Sequence, residues 1–378
     1  MTEPPAQPPT PPAQPPRTAW GRSEQQDFRS RVRGCLLGGA MGDALGAGIE
    51  FDSLEAIRSA HGQEGVTGYV PAYGRQAGAI TDDTQMTLFT CDGLIRAHVR
   101  RDAGGWHPPT DLHAAYRRWY ATQNDWGPDE RKDSDGWLAR EEWLYSRRAP
   151  GNACLAGLAG GRMGTMEKPK NPDSKGCGAV MRSAPFGLLI GWEPRLVFQL
   201  AGECAVHTHG HPTGHLAASA FAVIVHGLVR GASLPTAVQT ALQLLANRPG
   251  HEETTAALQA ALAAVRAGLP TPERLESLGE GWTAEEALGM GVYAALAGED
   301  IRSALLLAVN HGGDSDSTGS ICGNLLGTMH GDTALPPEWL PELEGRATML
   351  ELADDFALEM THGQSLHATE GWLTRYPR

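Results

Sequence analysis

Apolar residues recur along the chain at the three- and four-residue spacing of amphipathic helices. The clearest stretches are DLHAAYRRWYA, HLAASAFAVIVHGLVRG, TAVQTALQLLA and TAEEALGMGVYAALAG. Alternation with a period of two residues, which would indicate strands, is rare. The pattern therefore predicts an all-α protein. Within it, Thr283 stands three residues before Glu286, which predicts a capping box with Trp282 as its hydrophobic staple.

Glycine recurs every four residues near the start of the first predicted helix, at Gly34, Gly38, Gly42 and Gly46. Residues at this spacing lie on one face of a helix. Each glycine costs a helix about 1 kcal/mol relative to alanine. We therefore expect this face to pack closely on another helix or to approach a ligand. A membrane dimer does not fit, because charged residues interrupt a stretch that is too short.

The first 22 residues differ in composition from the rest of the chain. They hold PPAQPP twice, seven positions apart, and almost nothing that could enter a core. Such a Pro-rich segment is extended or disordered. Nothing later in the chain resembles a linker, so we expect one compact helical domain over residues 23–378. Its stretch from about 122 to 175 is rich in Gly, Pro and Trp and is expected to form loops and short helices over a site.

Charge and cysteine content narrow the cellular setting. The chain of 378 residues has a formal net charge of −13, which argues against binding to nucleic acid or to an anionic membrane. No run approaches the roughly 20 apolar residues of a membrane span. The six cysteines are scattered and form no CxxC pair. We therefore expect reduced thiols in a cytoplasmic protein that acts as a monomer.

Two short motifs place carboxylates between a glycine and an apolar run. Residues 78–84 read GAITDDT, and residues 312–319 read GGDSDSTG. A turn or a helix cap would explain either motif alone, whereas the two together suggest a shared cation. Both runs offer carboxylate and hydroxyl oxygens, with no thiolate or imidazole. That donor set suits Mg²⁺, Mn²⁺ or Ca²⁺ better than Zn²⁺.

Other metal or phosphate motifs match this chain only in part. An EF-hand loop starting at Asp314 would need a glutamate at its twelfth position, where this chain has Leu325. DSDST also fits the DxDxT signature of haloacid-dehalogenase-like phosphatases, but the 64 residues after Asp314 are too few for that fold. Four closely spaced histidines invite a zinc site, although no cysteine or carboxylate nearby completes it. They are His207, His209, His211 and His215.

The motifs of the ADP-ribosylglycohydrolase family resemble five stretches of this chain in the same order: GDALGAGIE, TDDTQ, GCGAVMRSAP, HTHGHPTGH and GGDSDSTGSICGNLLG. The resemblance covers residues 31–360. The family includes the dinitrogenase-reductase-activating glycohydrolase and the ADP-ribosylarginine hydrolases. Membership implies a compact all-α fold with a binuclear metal cleft that holds two Mg²⁺ ions, with Mn²⁺ as the alternative.

The resemblance also implies which residues hold the cations and act on the substrate. The implied ligands are Thr81, Asp82, Asp83, Asp314, Asp316 and Ser317. In this chemistry the cations hold the vicinal ribose hydroxyls and lower the pKa of a water, and carboxylates stabilise an oxocarbenium-like state. Asp83, Asp316 and Glu50 would be the catalytic carboxylates. Two alternatives stay open, namely that Glu50 is an exposed residue at a helix end and that Asp43 is structural.

Substrate contacts are implied for six residues: Gly176, Cys177, Gly178, His209, Gly312 and Gly313. Backbone N–H groups of the GCGAV segment would wrap the phosphates. Many relatives carry Asn at position 177, so a side-chain hydrogen bond from Cys177 stays open. Some relatives also carry an acidic residue where this chain reads APG at 149–151, and a mechanism that uses it would not transfer. Asp125, Asp133 and Asp135 stay open as further acids or bases.

The implied activity is metal-dependent hydrolysis of the bond between ADP-ribose and a modified acceptor. The HPTGH form of the histidine motif is closer to the arginine-directed members, so we expect protein arginine as the acceptor. The expected partners are ADP-ribose and an ADP-ribosylated protein or small-molecule conjugate. Two alternatives remain, a catalytically silent ADP-ribose-binding module and a metal-dependent phosphohydrolase.

Overall fold

The computed structural model describes residues 21–128 and 135–378, and its regular structure is helical. The α-helices in these ranges are α1 (Arg22–Gly46), α2 (Leu54–His61), α3 (Asp82–Asp102), α4 (Pro108–Thr122), α5 (Asn152–Ala159), α6 (Ala184–Gly187), α7 (Pro194–Ala205), α8 (Pro212–Val229), α9 (Leu234–Leu245), α10 (Glu252–Arg266), α11 (Pro272–Glu276), α12 (Ala284–Ala297), α13 (Ile301–Val309), α14 (Ser315–His330), α15 (Arg346–Leu366) and α16 (Glu370–Arg375). Within the described ranges, β-pairing is limited to two isolated bridges. The all-α prediction is confirmed. The tail predicted over residues 1–22 lies outside the described residues as far as residue 20, so it stays a prediction.

Helices α1 and α14 pack against each other along a line of glycines. The contacts pair these glycines in antiparallel order: Gly34 with Gly327, Gly38 with Gly323, and Gly42 with Gly319. A Cβ atom on any of the six would overlap backbone atoms of the opposite helix. Close helix packing therefore accounts for the glycine repeat, because only a residue without a side chain lets the two backbones approach this far.

The remaining helices surround this central pair. Helices α3 and α15 lie against α1, while α12 and α13 lie against α14. Helix α8 packs between α7 and α9 and also contacts α12 and α14. Their apolar faces form one main continuous core, whose fully buried members include Trp119, Tyr116 and Phe89. All six cysteines are free thiols.

Helix α8 is the most apolar of the long helices. Over its 18 residues it is long and apolar enough to cross a membrane, judged by length and composition. However, 83% of it is buried inside the protein. That burial is typical of a core helix, which needs the same composition as a membrane span.

The capping box predicted at the start of α12 is wrong. Thr283 occupies the N-cap position, but its side chain makes no capping hydrogen bond. The Glu286 carboxylate instead accepts a hydrogen bond from the N–H of Glu280 at 3.2 Å. Trp282 is not a staple either, because its ring stacks on Phe51 with 5.7 Å between the ring centroids. One replacement contact is local, from Glu280, and the other comes from Phe51 in a distant part of the chain.

The glycine contact predicts that Gly38→Ala destabilises the protein. The added methyl group would meet the carbonyl oxygen of Gly323, and such overpacking costs about 1–3 kcal/mol in free energy of unfolding. Gly371→Ala is the matched control, since a Cβ there meets nothing within 4 Å. Urea unfolding of both variants measures the difference. Equal stability of the two variants would contradict the packing argument.

Candidate active site

The start of α14 carries the second acidic motif. Asp314 is the N-cap residue, and the N–H of Ser317 donates to Asp314 at 3.3 Å and to Asp316 at 3.0 Å. The line of glycines continues to this point, because a Cβ on Gly46 would overlap the backbone N of Asp316. The close packing of α1 on α14 therefore also fixes where the motif lies.

The start of α3 carries the first acidic motif, and Asp43 holds it in place. Thr81 is the N-cap residue of α3, and Asp82 and Asp83 lie in its first turn. The Asp43 carboxylate accepts hydrogen bonds from the N–H of Thr81 at 2.9 Å, the N–H of Thr84 at 3.1 Å and the Thr84 hydroxyl at 2.5 Å. Asp43 thus connects α1 to the start of α3, which favours the structural role left open for it.

A buried ion pair supports the same turn from the other side. Arg148 and Glu344 pair at 2.9 Å, and the carbonyl oxygen of Arg148 accepts from the N–H of Asp82 at 3.0 Å. The N–H of Gly151 donates to the Asp82 carboxylate at 3.3 Å. Where some relatives carry an acidic residue, this chain therefore offers a backbone donor to Asp82.

Glu50 joins the cluster from the segment after α1. Carboxylate oxygens of Glu50, Asp314 and Asp316 lie within 4.8 Å of one another, and all three residues are buried. Glu50 is only 7% exposed, so the alternative of a solvated residue at a helix end is wrong. Of the predicted catalytic and metal-binding carboxylates, Glu50, Asp314 and Asp316 thus share one group, and the charge of Asp316 also acts on Asp82 and Asp83. The predicted roles of these residues, and of Thr81 and Ser317, stay predictions.

Crowding and burial disfavour the charged forms of these carboxylates. Burial raises the pKa of Asp43 to about 7 and that of Glu50 to about 10, and the charge of Asp316 adds to both shifts. For the same two reasons the pKa values of Asp82, Asp83 and Asp314 lie well above the usual range. Helix N-termini stabilise anions, but this stabilisation is too small to offset the cost of burying this many charged carboxylates. Full ionisation therefore requires positive charge among the carboxylates.

The donor set fits a divalent cation. Asp83 Oδ2 and Glu50 Oε2 are buried and have no hydrogen-bond partner in the described residues. An unsatisfied buried carboxylate oxygen is costly, and a cation would satisfy it. Carboxylate and hydroxyl oxygens are the ligands that Mg²⁺ and Mn²⁺ prefer. The cluster can therefore hold a metal ion.

The Gly176–Gly178 segment passes directly beside the cluster. The Cys177 thiol donates to Asp314 Oδ2 at 2.8 Å, so the side-chain hydrogen bond left open for Cys177 reaches a carboxylate of the cluster. The N–H of Cys177 donates to the carbonyl oxygen of Trp282 at 3.1 Å. Among the backbone amides of this segment, those of Gly176 and Gly178 remain the candidates for binding phosphate.

A buried arginine organises the same segment and the neighbouring histidine. Arg182 donates to the carbonyl oxygen of Gly178 at 2.7 Å and to Thr208 Oγ1 at 2.7 Å. Thr208 Oγ1 lies 2.8 Å from His209 Nδ1 but 3.4 Å from the carbonyl oxygen of Ala205, so its proton is shared with Nδ1. Burial, with the charge of Arg182, lowers the pKa of His209 to about 3. These contacts and the low pKa predict a neutral ring with its proton on Nε2.

The orientation of His209 places this ring at the predicted substrate segment. A Cβ on Gly178 would lie 2.9 Å from Cε1 of His209 and 3.2 Å from Nε2. Glycine at position 178 thus makes room for the imidazole. The predicted contact of His209 with substrate stays a prediction, and the geometry supplies an N–H donor for it.

The glycines before Asp314 have structural partners. Gly312 donates its N–H to Glu276 at 2.8 Å. Gly313 has φ of +127°, and a Cβ there would overlap the carbonyl oxygen of Glu280. The conformation and close contact of Gly313 explain why glycine is required there. The predicted role of both glycines in binding substrate stays a prediction.

The other histidines of the HTHGHPTGH run have different surroundings. The ring nitrogens of His207 face the carbonyl oxygens of Gly164 and Pro109, and His211 caps α8. Contacts with the backbone thus explain these two residues without zinc. Of the further acid or base candidates, Asp133 lies outside the described residues. Asp125 and Asp135 are half-buried, and their roles stay predictions.

Sequence reasoning missed several residues that support the site. Arg182 and Thr208 lie within two of the quoted motifs, yet nothing in their local sequence indicates that they organise a histidine. The stacked pair of Phe51 and Trp282 was also missed, although an aromatic residue directly after Glu50 was a usable signal. Phe51 is 74% exposed.

Comparison with known proteins identifies the family. A family model described as ADP-ribosylglycohydrolase matches residues 24–365. The chain belongs to the ADP-ribosylglycohydrolase family. As a member of this family it is assigned as a hydrolase, and the resemblance noted from its motifs is confirmed over nearly the whole chain.

Individual ADP-ribosylglycohydrolases match over most of their length. The chain is 26% identical to the ADP-ribosyl-(dinitrogen reductase) glycohydrolase of Rhodospirillum rubrum, over 83% of this chain and 90% of that protein. It is 23% identical to the ADP-ribosylarginine hydrolase Tri1 of Serratia proteamaculans, over 87% of this chain and 80% of that protein. A solved structure described as an ADP-ribosylglycohydrolase-related protein complex aligns with a TM-score of 0.58 and 26% identity, over 89% of this chain and 99% of that one.

The contact with Thr208 predicts the tautomer of His209. In the wild type, ¹⁵N NMR of labelled histidine should show the Nε2–H form for this residue. Thr208→Val removes the hydroxyl and should shift the population towards Nδ1–H, whereas Thr208→Ser keeps the hydroxyl and should keep the wild-type tautomer. An unchanged tautomer in Thr208→Val would show that the hydroxyl does not set it.

The carboxylate cluster predicts how stability depends on pH and on metal. Folded-state pKa values above the unfolded ones stabilise the protein at low pH, and this contribution is lost as pH rises through the folded values. In EDTA, the melting temperature should fall from pH 7 to pH 9. Binding of one Mg²⁺ ion, present at about 100 times its dissociation constant, should add about 2.7 kcal/mol to the free energy of unfolding.

Asp316→Asn is the variant that tests the origin of this pH dependence, because it removes one charge from the cluster. In EDTA its melting temperature should fall less steeply with pH, and its response to Mg²⁺ should be smaller. The histidines are the same in both proteins, so the difference between the two profiles comes from the cluster. Parallel pH profiles of the two proteins would contradict the assignment of the cluster.

Proposed function

We propose that this protein is a metal-dependent hydrolase that releases ADP-ribose from modified arginine side chains of proteins. The observation that carries the proposal is the joining of both acidic motifs, with Glu50, in one buried cluster of a family member. The relative from Serratia proteamaculans, named an ADP-ribosylarginine hydrolase, supports the choice of acceptor.

Two Mg²⁺ ions are proposed as the cofactors, and Mn²⁺ satisfies the same ligands. The residues proposed to hold them are Thr81, Asp82, Asp83, Asp314, Asp316 and Ser317. When bound, the cations supply positive charge that holds the ribose hydroxyls and activates water. Asp43 fixes the first turn of α3 through the N–H groups of Thr81 and Thr84, so the ligands from α3 are pre-oriented.

The protein groups around the cluster have separate proposed tasks. Glu50, with its unpartnered Oε2, contacts the ribose beside the bond that breaks. Asp83 and Asp316 supply negative charge that stabilises the oxocarbenium-like state as the acceptor leaves. Gly176, Gly178 and His209 bind the diphosphate with N–H donors, and Gly312 and Gly313 shape the adjoining backbone.

An arginine acceptor also matches the charge of the protein. The formal net charge of −13 favours approach of a cationic peptide segment. Arginine keeps its positive charge at every physiological pH. A negatively charged protein therefore attracts both the arginine freed by cleavage and the basic residues beside it in the substrate. We further propose a monomer that acts in the cytoplasm, where its free thiols stay reduced.

The test is release of ADP-ribose from an arginine-ADP-ribosylated protein, followed by chromatography with Mg²⁺ and with EDTA. Release should require the metal. Asp316→Asn should lower kcat/KM by about 100-fold or more, because a metal ion contributes several kcal/mol to the barrier. Asp27→Asn is the matched control, since its side chain is 63% exposed on α1 and pairs only with Arg31 among the residues described.

Other outcomes of this assay identify the competing functions. Cleavage of ADP-ribose to AMP and ribose 5-phosphate, or release of inorganic phosphate from simple phosphate esters, would indicate a phosphohydrolase. Tight calorimetric binding of ADP-ribose without turnover of arginine, serine or small-molecule conjugates would indicate a silent binding module. Turnover of serine conjugates alone would overturn the arginine assignment but retain the hydrolase.

A further inference from the structure

Two exposed aromatic rings lie beside the carboxylate cluster. Phe51 directly follows Glu50, a member of the cluster, so the Cα atoms of these two residues are about 3.8 Å apart. The Phe51 ring stacks on that of Trp282 with 5.7 Å between the centroids and 18° between the planes. Despite this contact, Phe51 is 74% exposed and Trp282 is 37% exposed. Exposed apolar side chains that adjoin one another often mark a binding site.

The backbone that carries Trp282 lies against the same cluster. The N–H of Asp314 donates to the carbonyl oxygen of Glu280 at 2.8 Å. A Cβ on Gly281 would lie 3.2 Å from the Cβ of Asp314. Each of the two rings therefore belongs to a segment that borders the cluster, one next to Glu50 and the other next to Asp314.

The segments around both rings are acidic. Residues 49–57 and 275–286 contain no Lys or Arg. The acids nearest to the rings in the sequence are Glu50, Asp52 and Glu280, of which the last two are exposed. The face of an aromatic ring also carries partial negative charge. The rings and the carboxylates therefore both attract a cation, whereas these acids disfavour the diphosphate of the substrate.

We propose that Phe51 and Trp282 form an aromatic platform on which the guanidinium group of the acceptor arginine stacks. This proposal rests on the proposed function, in which Glu50 contacts the ribose beside the bond that breaks. The acceptor is bonded to the ribose at that position, whereas two riboses and the diphosphate separate the adenine from it. A ring directly after Glu50 therefore adjoins the acceptor side of the substrate.

The platform favours arginine over a neutral acceptor. A guanidinium group is planar and charged, so it stacks flat on an aromatic face. Because Phe51 stays 74% exposed after stacking on Trp282, it retains free ring surface for this contact. Cation–π contacts at exposed sites strengthen binding about two- to fivefold. A neutral group of the same shape would gain neither this attraction nor that of the acidic residues.

The first experiment measures binding without catalysis. N-acetylarginine amide, or its neutral analogue N-acetylcitrulline amide, is added to the Mg²⁺-loaded, full-length protein, and NMR follows labelled phenylalanine and tryptophan rings. Phe51→Tyr and Trp282→Phe assign the two signals. The arginine compound should shift both signals saturably, and the citrulline compound should bind about fivefold or more weakly. Equal affinities, or no shift of either signal by the arginine compound, would overturn the proposal.

A second experiment distinguishes the acceptor from the adenine as the group that stacks on the platform. The affinity for free ADP-ribose is measured by calorimetry in the wild type and in Phe51→Leu, which keeps an apolar side chain but removes the ring. A platform for the acceptor predicts equal affinities, because ADP-ribose contains no acceptor. A several-fold loss of affinity in a Phe51→Leu protein with the wild-type melting temperature would place the adenine on the rings and overturn the proposal.

Kinetics with an arginine-ADP-ribosylated peptide test the platform during turnover. Phe51→Leu should raise KM about two- to fivefold with little change in kcat, because stacking binds the acceptor before the bond breaks. Phe51→Tyr keeps the ring and should keep the wild-type KM. An unchanged KM in Phe51→Leu, or an equal rise in both variants, would contradict the platform. If the wild type released no ADP-ribose from arginine, the proposed function would fail, and the NMR titration would still decide whether the rings bind guanidinium.

Discussion

The contact between the glycine faces of α1 and α14 is the constraint on which the rest of the site depends. It lets two helix backbones approach until carbonyl groups touch the opposite helix, which fixes their mutual register. The last glycine of the repeat, Gly46, meets the backbone at Asp316, so the register of the helices is also the register of the site. Asp43 lies in the last turn of the same helix, and Glu50 follows shortly after its end.

The site combines a rigid frame with an electrostatic conflict. Buried carboxylates from three chain segments repel one another, and two of their oxygens have no partner in the described structure. The glycine contact, the hydrogen bonds to Asp43 and the Arg148–Glu344 pair hold them together nonetheless. Such an arrangement lowers the free energy of unfolding but keeps the binding site preorganised, which is typical of functional centres.

Local patterns in the sequence predicted the parts of the site that depend on neighbouring residues. The four-residue glycine repeat and the two acidic motifs each signal a feature that lies within one helix or one turn. Resemblance to a family then connected the motifs, which spacing alone could not do. Glu50 was left open between two readings, because its burial depends on residues more than 260 positions away, at Asp314 and Asp316.

Features that depend on a choice between competing contacts were predicted poorly. The Thr283 capping box had the right residues, yet Glu280 took the Glu286 carboxylate and Phe51 took the Trp282 ring. The Cys177 thiol looked like a departure from the family pattern and proved to lie against Asp314. Both cases arise because side chains with several possible partners choose among them only when the fold is formed.

The account depends most on the claim that the glycine contact assembles both acidic motifs into one metal site. Crystals grown with Mn²⁺ and measured at an energy where manganese scatters anomalously would locate the ions directly. The account predicts two anomalous peaks within ligand distance of Asp82 or Asp83 and of Asp314 or Asp316. Fully occupied manganese sites found only elsewhere, or no anomalous peak between the starts of α3 and α14, would contradict it.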